Sequence, residues 1–479
     1  MSTFDLNKPY CFYFNEIAKI PHGSYNEKAI SDYIVEFAKK RNLNYVQDSM
    51  NNVVIYKKAS KGYENAKPLL LQAHMDMVCE ANKSANFDFR KDSLKLKVEG
   101  EWLTAEGTTL GADDGTGVAY MLAILDDDSL EHPDLECCFT VQEEVGLFGA
   151  LGLDTSLFKA RRMVCLDGGG EISTGISSAG GCIVESDIDI SFMDNNKPAY
   201  KMLVTGLSGG HSGGEIHKEK GNANRIAVRI MKEMSMAGVD MNLVSVNGGL
   251  KDNAIPRECE IIFTSNSDKE LIDEKLALSV KNIRTELEFS DAGIVCTVEK
   301  ADTVDKCMDD KTTKTVIDYL FLIPNGFRHK SMAIEGLTLT SLNTGIIKTE
   351  GDKVVVTSSI RSAIDSGIQH LIDTIYTLAS LFDIKCSTSA RYPGWNYKAE
   401  SEMREKLNKI IIKNRGRELE CMAFHGGCEC GVFAAISEEM DILTYGPVSE
   451  NVHTPDERLN LDSFDRSYKI LCDLIGECK

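Results

Sequence analysis

Residues 69–78 read LLLQAHMDMV, an apolar run that ends on His74. A strand that alternated apolar and polar residues would face water on one side. A continuous apolar run predicts a strand buried on both faces, as in a parallel sheet covered by helices. Similar β-rich runs occupy residues 52–56, 135–141 (LECCFTV) and 163–166. Between the second and third of these runs along the chain, residues 115–125 (GTGVAYMLAIL) predict a helix opened by Asp113 and Asp114. Residues near 11–41 also carry helix-like periodicity. Strands and helices alternating in this way predict an α/β domain with a mostly parallel central sheet flanked by helices.

Open sheets of this kind bind ligands beyond the carboxyl ends of their strands. His74, Glu143-Glu144 and Asp167 each follow such a strand closely, so all would project into that crevice. Asp113, at the helix start, and His453, in SENVHTPDE, complete the set. Two neutral imidazoles and three carboxylates can hold a pair of Zn²⁺-like ions if one carboxylate bridges them. That leaves Glu143, beside Glu144, free to move protons.

A second unit is predicted from about residue 186. Residues 200–205, 258–264 and 354–360 alternate with period two, and helices are expected at 222–236 and 268–286. This is the pattern of a small α/β domain with an antiparallel sheet. After Arg391-Tyr392-Pro393-Gly394-Trp395 the chain returns to helix (401–413), strand (442–444) and His453. The expected organisation is a catalytic domain over 1–185 and 396–479, interrupted by a lid domain over 186–395. An inserted domain explains why the fifth ligand arrives so late, and the ends of an insert usually lie close together.

The net charge of −20 argues against nucleic acid or an anionic membrane as partner, because both attract through phosphate. No stretch reaches 18 apolar residues, and the N-terminus lacks a basic region followed by an apolar one. A cytoplasmic protein is expected. The 15 cysteines are odd in number and scattered, which reads as reduced thiols rather than a disulfide framework.

The ordered segments HMDMV, TTLGADDG, QEEVGLFGA, DGG, GGHSGG, NAIP, HGGCECG and HTPD run from residue 74 to 456. In that order they resemble the M20 metallopeptidases, specifically the aminoacyl-histidine (Xaa-His) dipeptidase branch. The resemblance implies that Asp113 bridges two metals, His74 and Asp167 completing one and Glu144 and His453 the other. Zn²⁺ would be the usual ion, with Co²⁺ or Mn²⁺ as substitutes. Asp76 would hold the second nitrogen of His74, and Glu143 would be the general base for the water between the metals. From the lid, His211 would stabilise the oxyanion, often across a homodimer interface, and Asn253 and Arg361 would hold the peptide's polar ends. Gly427 and Glu429 match a loop near the substrate, with Glu429 offered to the free α-amine. His22, His132, His329, His370 and His425 receive no role. The implied substrates are unblocked dipeptides. The alternatives are a related tripeptidase or an N-acyl-amino-acid amidohydrolase, since Asp114 stands where the dipeptidase branch more often has Asn.

Overall fold

The computed structural model describes residues 4–479. It divides into two compact units. One comprises residues 4–178, Trp395–Ala423 and Cys428–Lys479; the other comprises Ala179–Gly394 and Phe424–Gly427. The boundary expected near 186 falls inside a strand, Gly180–Asp189. The strand opens on Gly180 and Gly181, which carry no hydrophobic alternation, so its beginning is not legible from sequence.

The first unit is built on a six-stranded sheet in the order Asn44–Gln47, Val53–Lys57, Leu135–Thr140, Leu69–His74, Arg162–Cys165, Asp441–Thr444. The last four strands are mutually parallel, and the first two run antiparallel at one edge. Every residue of the Leu69–His74 and Leu135–Thr140 strands is buried, as continuous apolar runs require. Register pairs His74 with Thr140 and Gln72 with Cys165, so these strands end at one edge of the sheet. Truncating a side chain such as Leu71 in this layer should cost about 2–5 kcal/mol.

The helix Ala112–Asp126 packs on the Leu69–His74 strand. Its first residues are not helical: Asp113 has φ −87°, ψ 107° and Asp114 φ −111°, ψ 37°. Regular turns begin at Gly115, and the Asp114 carboxylate accepts the Gly117 N–H at 3.1 Å, an N-cap contact. The periodicity near 11–41 resolves into two helices, Pro9–Ile17 and Lys28–Lys40. Pro21 disfavours helical backbone at Ile20. A side chain at Gly23 would meet the Cys79 sulfur at 2.3 Å, so the chain turns there on glycine.

The second unit carries a nine-stranded antiparallel sheet. Four of its neighbouring strands are Thr338–Glu350, Lys353–Ser362, Gly180–Asp189 and Lys385–Tyr392. Ile360, Leu342 and Cys182 belong to the core that includes residues of the helices Ala223–Met236 and Asp365–Ser380. Alternation along a strand therefore puts Arg361, Ser341 and Gly181 on the opposite face.

Candidate functional site

In the first unit, His74 ends its strand fully buried. Its Nδ1 lies 2.9 Å from the backbone carbonyl of Asp76. A carbonyl only accepts, so Nδ1 carries the proton and the Nε2 lone pair points outward. Nε2 faces Asp113 Oδ1 at 3.0 Å. The other oxygen of the same carboxylate, Oδ2, faces His453 Nε2 at 3.2 Å, and His453 Nε2 lies 3.0 Å from Glu144 Oε1. One donor atom from each of His74, Asp113 and Asp167 lies within 4.8 Å of the others, and the same holds for Asp113, Glu144 and His453. The two triads share only Asp113. This donor set fits two divalent ions bridged by one carboxylate.

Electrostatics follows from the crowding. Burial and the negative charge of Asp113 raise the Asp167 carboxyl to about 7. Hydrogen bonds to Asp113 and then Glu144 raise His453 to about 10. Burial opposes charge on His74, but the carboxylates of Asp113 and Asp76 outweigh it. Metal binding must displace these protons, so affinity should fall as pH drops. Adding Zn²⁺ at pH 7 in weak buffer is therefore expected to release protons, read with an indicator dye. Full metal uptake without release would show that the two imidazoles are already neutral before the metal binds.

Asp76 sits differently from the expectation. Its carboxylate is 3.7 Å from His74 Nδ1, and its oxygens instead accept the backbone N–H groups of Glu143 (3.0 Å) and Glu144 (3.3 Å) and the Ser24 hydroxyl (2.8 Å). It fixes the turn that carries the two glutamates, while its own carbonyl fixes the imidazole. Glu143 has a donor atom within 4.8 Å of those of His74 and Glu144. Burial pushes its carboxyl well above the usual range; Asp167, Glu429 and Glu144 reinforce the shift and His74 opposes it.

Glu429, expected at the substrate's α-amine, is sealed in the catalytic unit with 2% exposure. Its Oε2 accepts from Gln72 Nε2 (2.5 Å) and Thr140 Oγ1 (2.7 Å), and burial raises it to about 8. Gln72 lies two residues before His74 on the same strand face, which draws Glu429 beneath the imidazole and away from solvent.

A further residue has no counterpart among the sequence candidates. Glu457 is 2% exposed, and its two oxygens accept the backbone N–H groups of Leu110 (2.7 Å), Gly111 (3.0 Å), Ala112 (2.8 Å) and Asp113 (3.3 Å). It therefore holds the turn that aims the shared carboxylate, from a position four residues after His453. The only sequence signal was an acidic residue closing the HTPDE stretch. Glu457→Gln turns an amide NH₂ toward donors and should weaken metal binding about 10–100-fold, the usual cost of losing an outer partner. Chelator competition would measure this, and unchanged affinity would show the contact to be structural only.

In the second unit, His211 lies beside Asn253: the Gly210–His211 and Ala254–Ile255 strands pair, and Ser212 N–H donates to the Asn253 carbonyl at 2.8 Å. His211 Nδ1 accepts the N–H groups of Gly213 and Gly214, both at 3.2 Å. Backbone N–H groups only donate, so the neutral ring carries its proton on Nε2, which makes it a donor. Burial and the charge of Arg361 lower its ionisation further. Asn343, also missed, donates to the carbonyls of Asp252 and Ala254, both at 2.8 Å, and so clamps Asn253 from either side. Arg361 is half-buried; Nη1 donates to Tyr392 Oη at 3.4 Å, and Nε is buried without a partner. Gly427 is exposed, and a side chain there would meet the Tyr392 ring at 2.7 Å. His425, given no role from sequence, is buried in this unit with Nε2 2.7 Å from Ser341 Oγ.

Comparison with known proteins gives consistent matches. Residues 70–477 match peptidase family M20/M25/M40. The chain is 34% identical over 467 residues to the cytosol non-specific dipeptidase of Escherichia coli (strain K12), covering 97% of this chain and 96% of that one. Its structure is similar to that of aminoacylhistidine dipeptidase from Vibrio alginolyticus, with TM-score 0.91, 33% identity and coverage of 98% and 96%. Aminopeptidase PepT from Bacillus cereus ATCC 10987 shares the fold, with TM-score 0.57 at 14% identity and coverage of 99% and 100%.

Proposed function

The chain belongs to peptidase family M20/M25/M40, and we propose that it is a cytoplasmic, two-metal dipeptidase that hydrolyses unblocked dipeptides, Xaa-His among them. The observation that carries this reading is the Asp113 carboxylate, whose two oxygens face His74 and His453 separately, each within its own donor triad. Divalent ions held there, Zn²⁺ in first place and Co²⁺ or Mn²⁺ as substitutes, would polarise the scissile carbonyl and make water nucleophilic at neutral pH.

Glu143 lies outside both Asp113 triads. It takes the water's proton and returns it to the leaving amine, and a raised carboxyl suits a group that must act first as base and then as acid. Asp76 and Glu457 keep the glutamate turn and the shared aspartate in place. His211, with its proton on Nε2, is the oxyanion donor. Arg361 takes the C-terminal carboxylate, for which a planar guanidinium is suited, and Asn253, with the backbone of Gly427, binds the peptide's polar groups. A homodimer belongs to this reading through the family resemblance. The cytoplasmic location draws support from the cytosolic relative; among the described residues no helix is long and apolar enough to cross a membrane.

The test is elemental analysis together with a panel of free dipeptides, tripeptides and acetyl-amino acids, assayed with Zn²⁺, Co²⁺ and Mn²⁺. Two metal equivalents and turnover of dipeptides above the other classes are expected. Preferential cleavage of tripeptides or acetyl-amino acids would move the assignment to those alternatives.

A further inference from the structure

Arg361 stands in a row that crosses four strands. Register pairs it with Ser341 on one side and Gly181 on the other, and Gly181 with Tyr392 beyond. Directly paired residues project from the same face, so Ser341, Arg361 and Tyr392 share one surface. Gly181 leaves the gap that Tyr392 fills: a side chain there would lie 2.7 Å from the tyrosine hydroxyl. The hydroxyl can thereby reach the guanidinium. Among the described residues no carboxylate lies at ion-pair distance from Arg361, so its charge is uncompensated within the unit.

The segment Phe424–Gly427 is drawn from the C-terminal part of the sequence, yet it packs with this unit. It touches two members of the Arg361 row, Ser341 and Tyr392. His425 Nε2 meets Ser341 Oγ at 2.7 Å. The His425 carbonyl oxygen would lie 2.7 Å from a side chain at Gly213, so the turn after His211 rests on it. Gly427 rests on the Tyr392 ring, and Gly426 accepts the Ala179 N–H at 2.8 Å. Burial, with the positive charges of Arg361 and His217, lowers the His425 imidazole to about 3. That keeps the ring neutral near pH 7.

We propose that His425 is a positioning residue for carboxylate recognition: latched to Ser341, it fills the space beside Arg361 with a neutral ring and leaves the guanidinium charge for the C-terminal carboxylate of a dipeptide. A carboxylate at this position would pair with Arg361 and close the receptor. A glutamine, whose amide reaches about as far as Nε2, could keep the hydrogen bond to Ser341 and the neutrality. The inference rests on the reading of Arg361 given above.

The test compares a free dipeptide with its C-terminal amide on the Zn²⁺-loaded wild type, His425→Asp, His425→Gln and Ser341→Ala. Wild type should prefer the free dipeptide. His425→Asp should lose about 100-fold in kcat/KM on the free dipeptide, mainly through KM, with the amide little changed, because a paired guanidinium no longer attracts the substrate. His425→Gln should stay within a few-fold of wild type on both. Ser341→Ala, which removes the latch without touching charge, should raise KM for the free dipeptide alone and serves if the aspartate variant does not fold. The proposal is overturned if the aspartate variant, or failing that the alanine variant, keeps the wild-type preference. Equal losses on both substrates in all three variants would also overturn it, by showing a packing role. If the wild type itself shows no preference, the Arg361 reading falls first; if the wild type does and the variants keep it, only His425 is misassigned.

Discussion

Glu143→Gln is expected to keep the metal content of the wild type and lose about 10²–10⁴-fold in kcat, the usual worth of a positioned acid–base group. The substitution is nearly isosteric, and the turn it sits in is held by Asp76 through backbone N–H groups that the change does not touch. None of the five residues in the two Asp113 triads is altered. What disappears is a carboxylate able to take a proton from water and give it to an amine. The loss should appear in kcat and kcat/KM alike, because substrate binding uses other groups. Metal analysis and circular dichroism on the same preparation separate chemistry from folding. A folded, metal-replete variant with near-normal turnover would remove Glu143 as the base.

What the sequence displays depends on whether the cause is local. The strands ending in His74, Thr140 and Cys165 are legible because burial on both faces writes itself as an unbroken apolar run, and a residue just past such a run must point beyond the sheet. The antiparallel sheet of the second unit is legible through alternation, as at Val354, Val356 and Ile360. Contacts between distant segments leave no such trace. Glu457 is bound to backbone N–H groups at 110–113, which carry no side-chain signature. His425 has an unremarkable sequence context, and only the pairing of Ser341 with Arg361 gives it meaning. Asp76 shows a subtler limit: the pattern places a carboxylate near the imidazole, but the chain turns after His74, so the carbonyl reaches Nδ1 while the carboxylate reaches the glutamate turn. The small four-stranded sheet Ser449–Glu450, Arg458–Asn460, Trp102–Ala105 and Leu96–Glu99 was likewise unforeseen, although it carries the loop bearing His453. Its strands are short and joined across more than half the chain.

Arg361→Ala should cost about 10²–10³-fold in kcat/KM on free dipeptides, since losing one partner of a desolvated charge pair typically costs about 2–5 kcal/mol. The same variant should act on C-terminally amidated dipeptides almost as the wild type does, because those substrates offer no carboxylate to lose. The difference between the two substrate series is the diagnostic, as a fold defect would depress both. The structural basis is the state of the guanidinium: half-buried, held by the Tyr392 hydroxyl and, among the described residues, without a carboxylate at ion-pair distance. A charge in that setting is costly unless a ligand meets it, and the ligand that a two-residue substrate brings is its terminal carboxylate. A substrate whose carboxylate and scissile bond must both be held is limited in length. A third residue would carry the carboxylate past Arg361, so tripeptides should resemble amidated dipeptides in rate. Cleavage of free and amidated dipeptides at equal rates by the wild type would refute this ruler and favour a more open amidohydrolase.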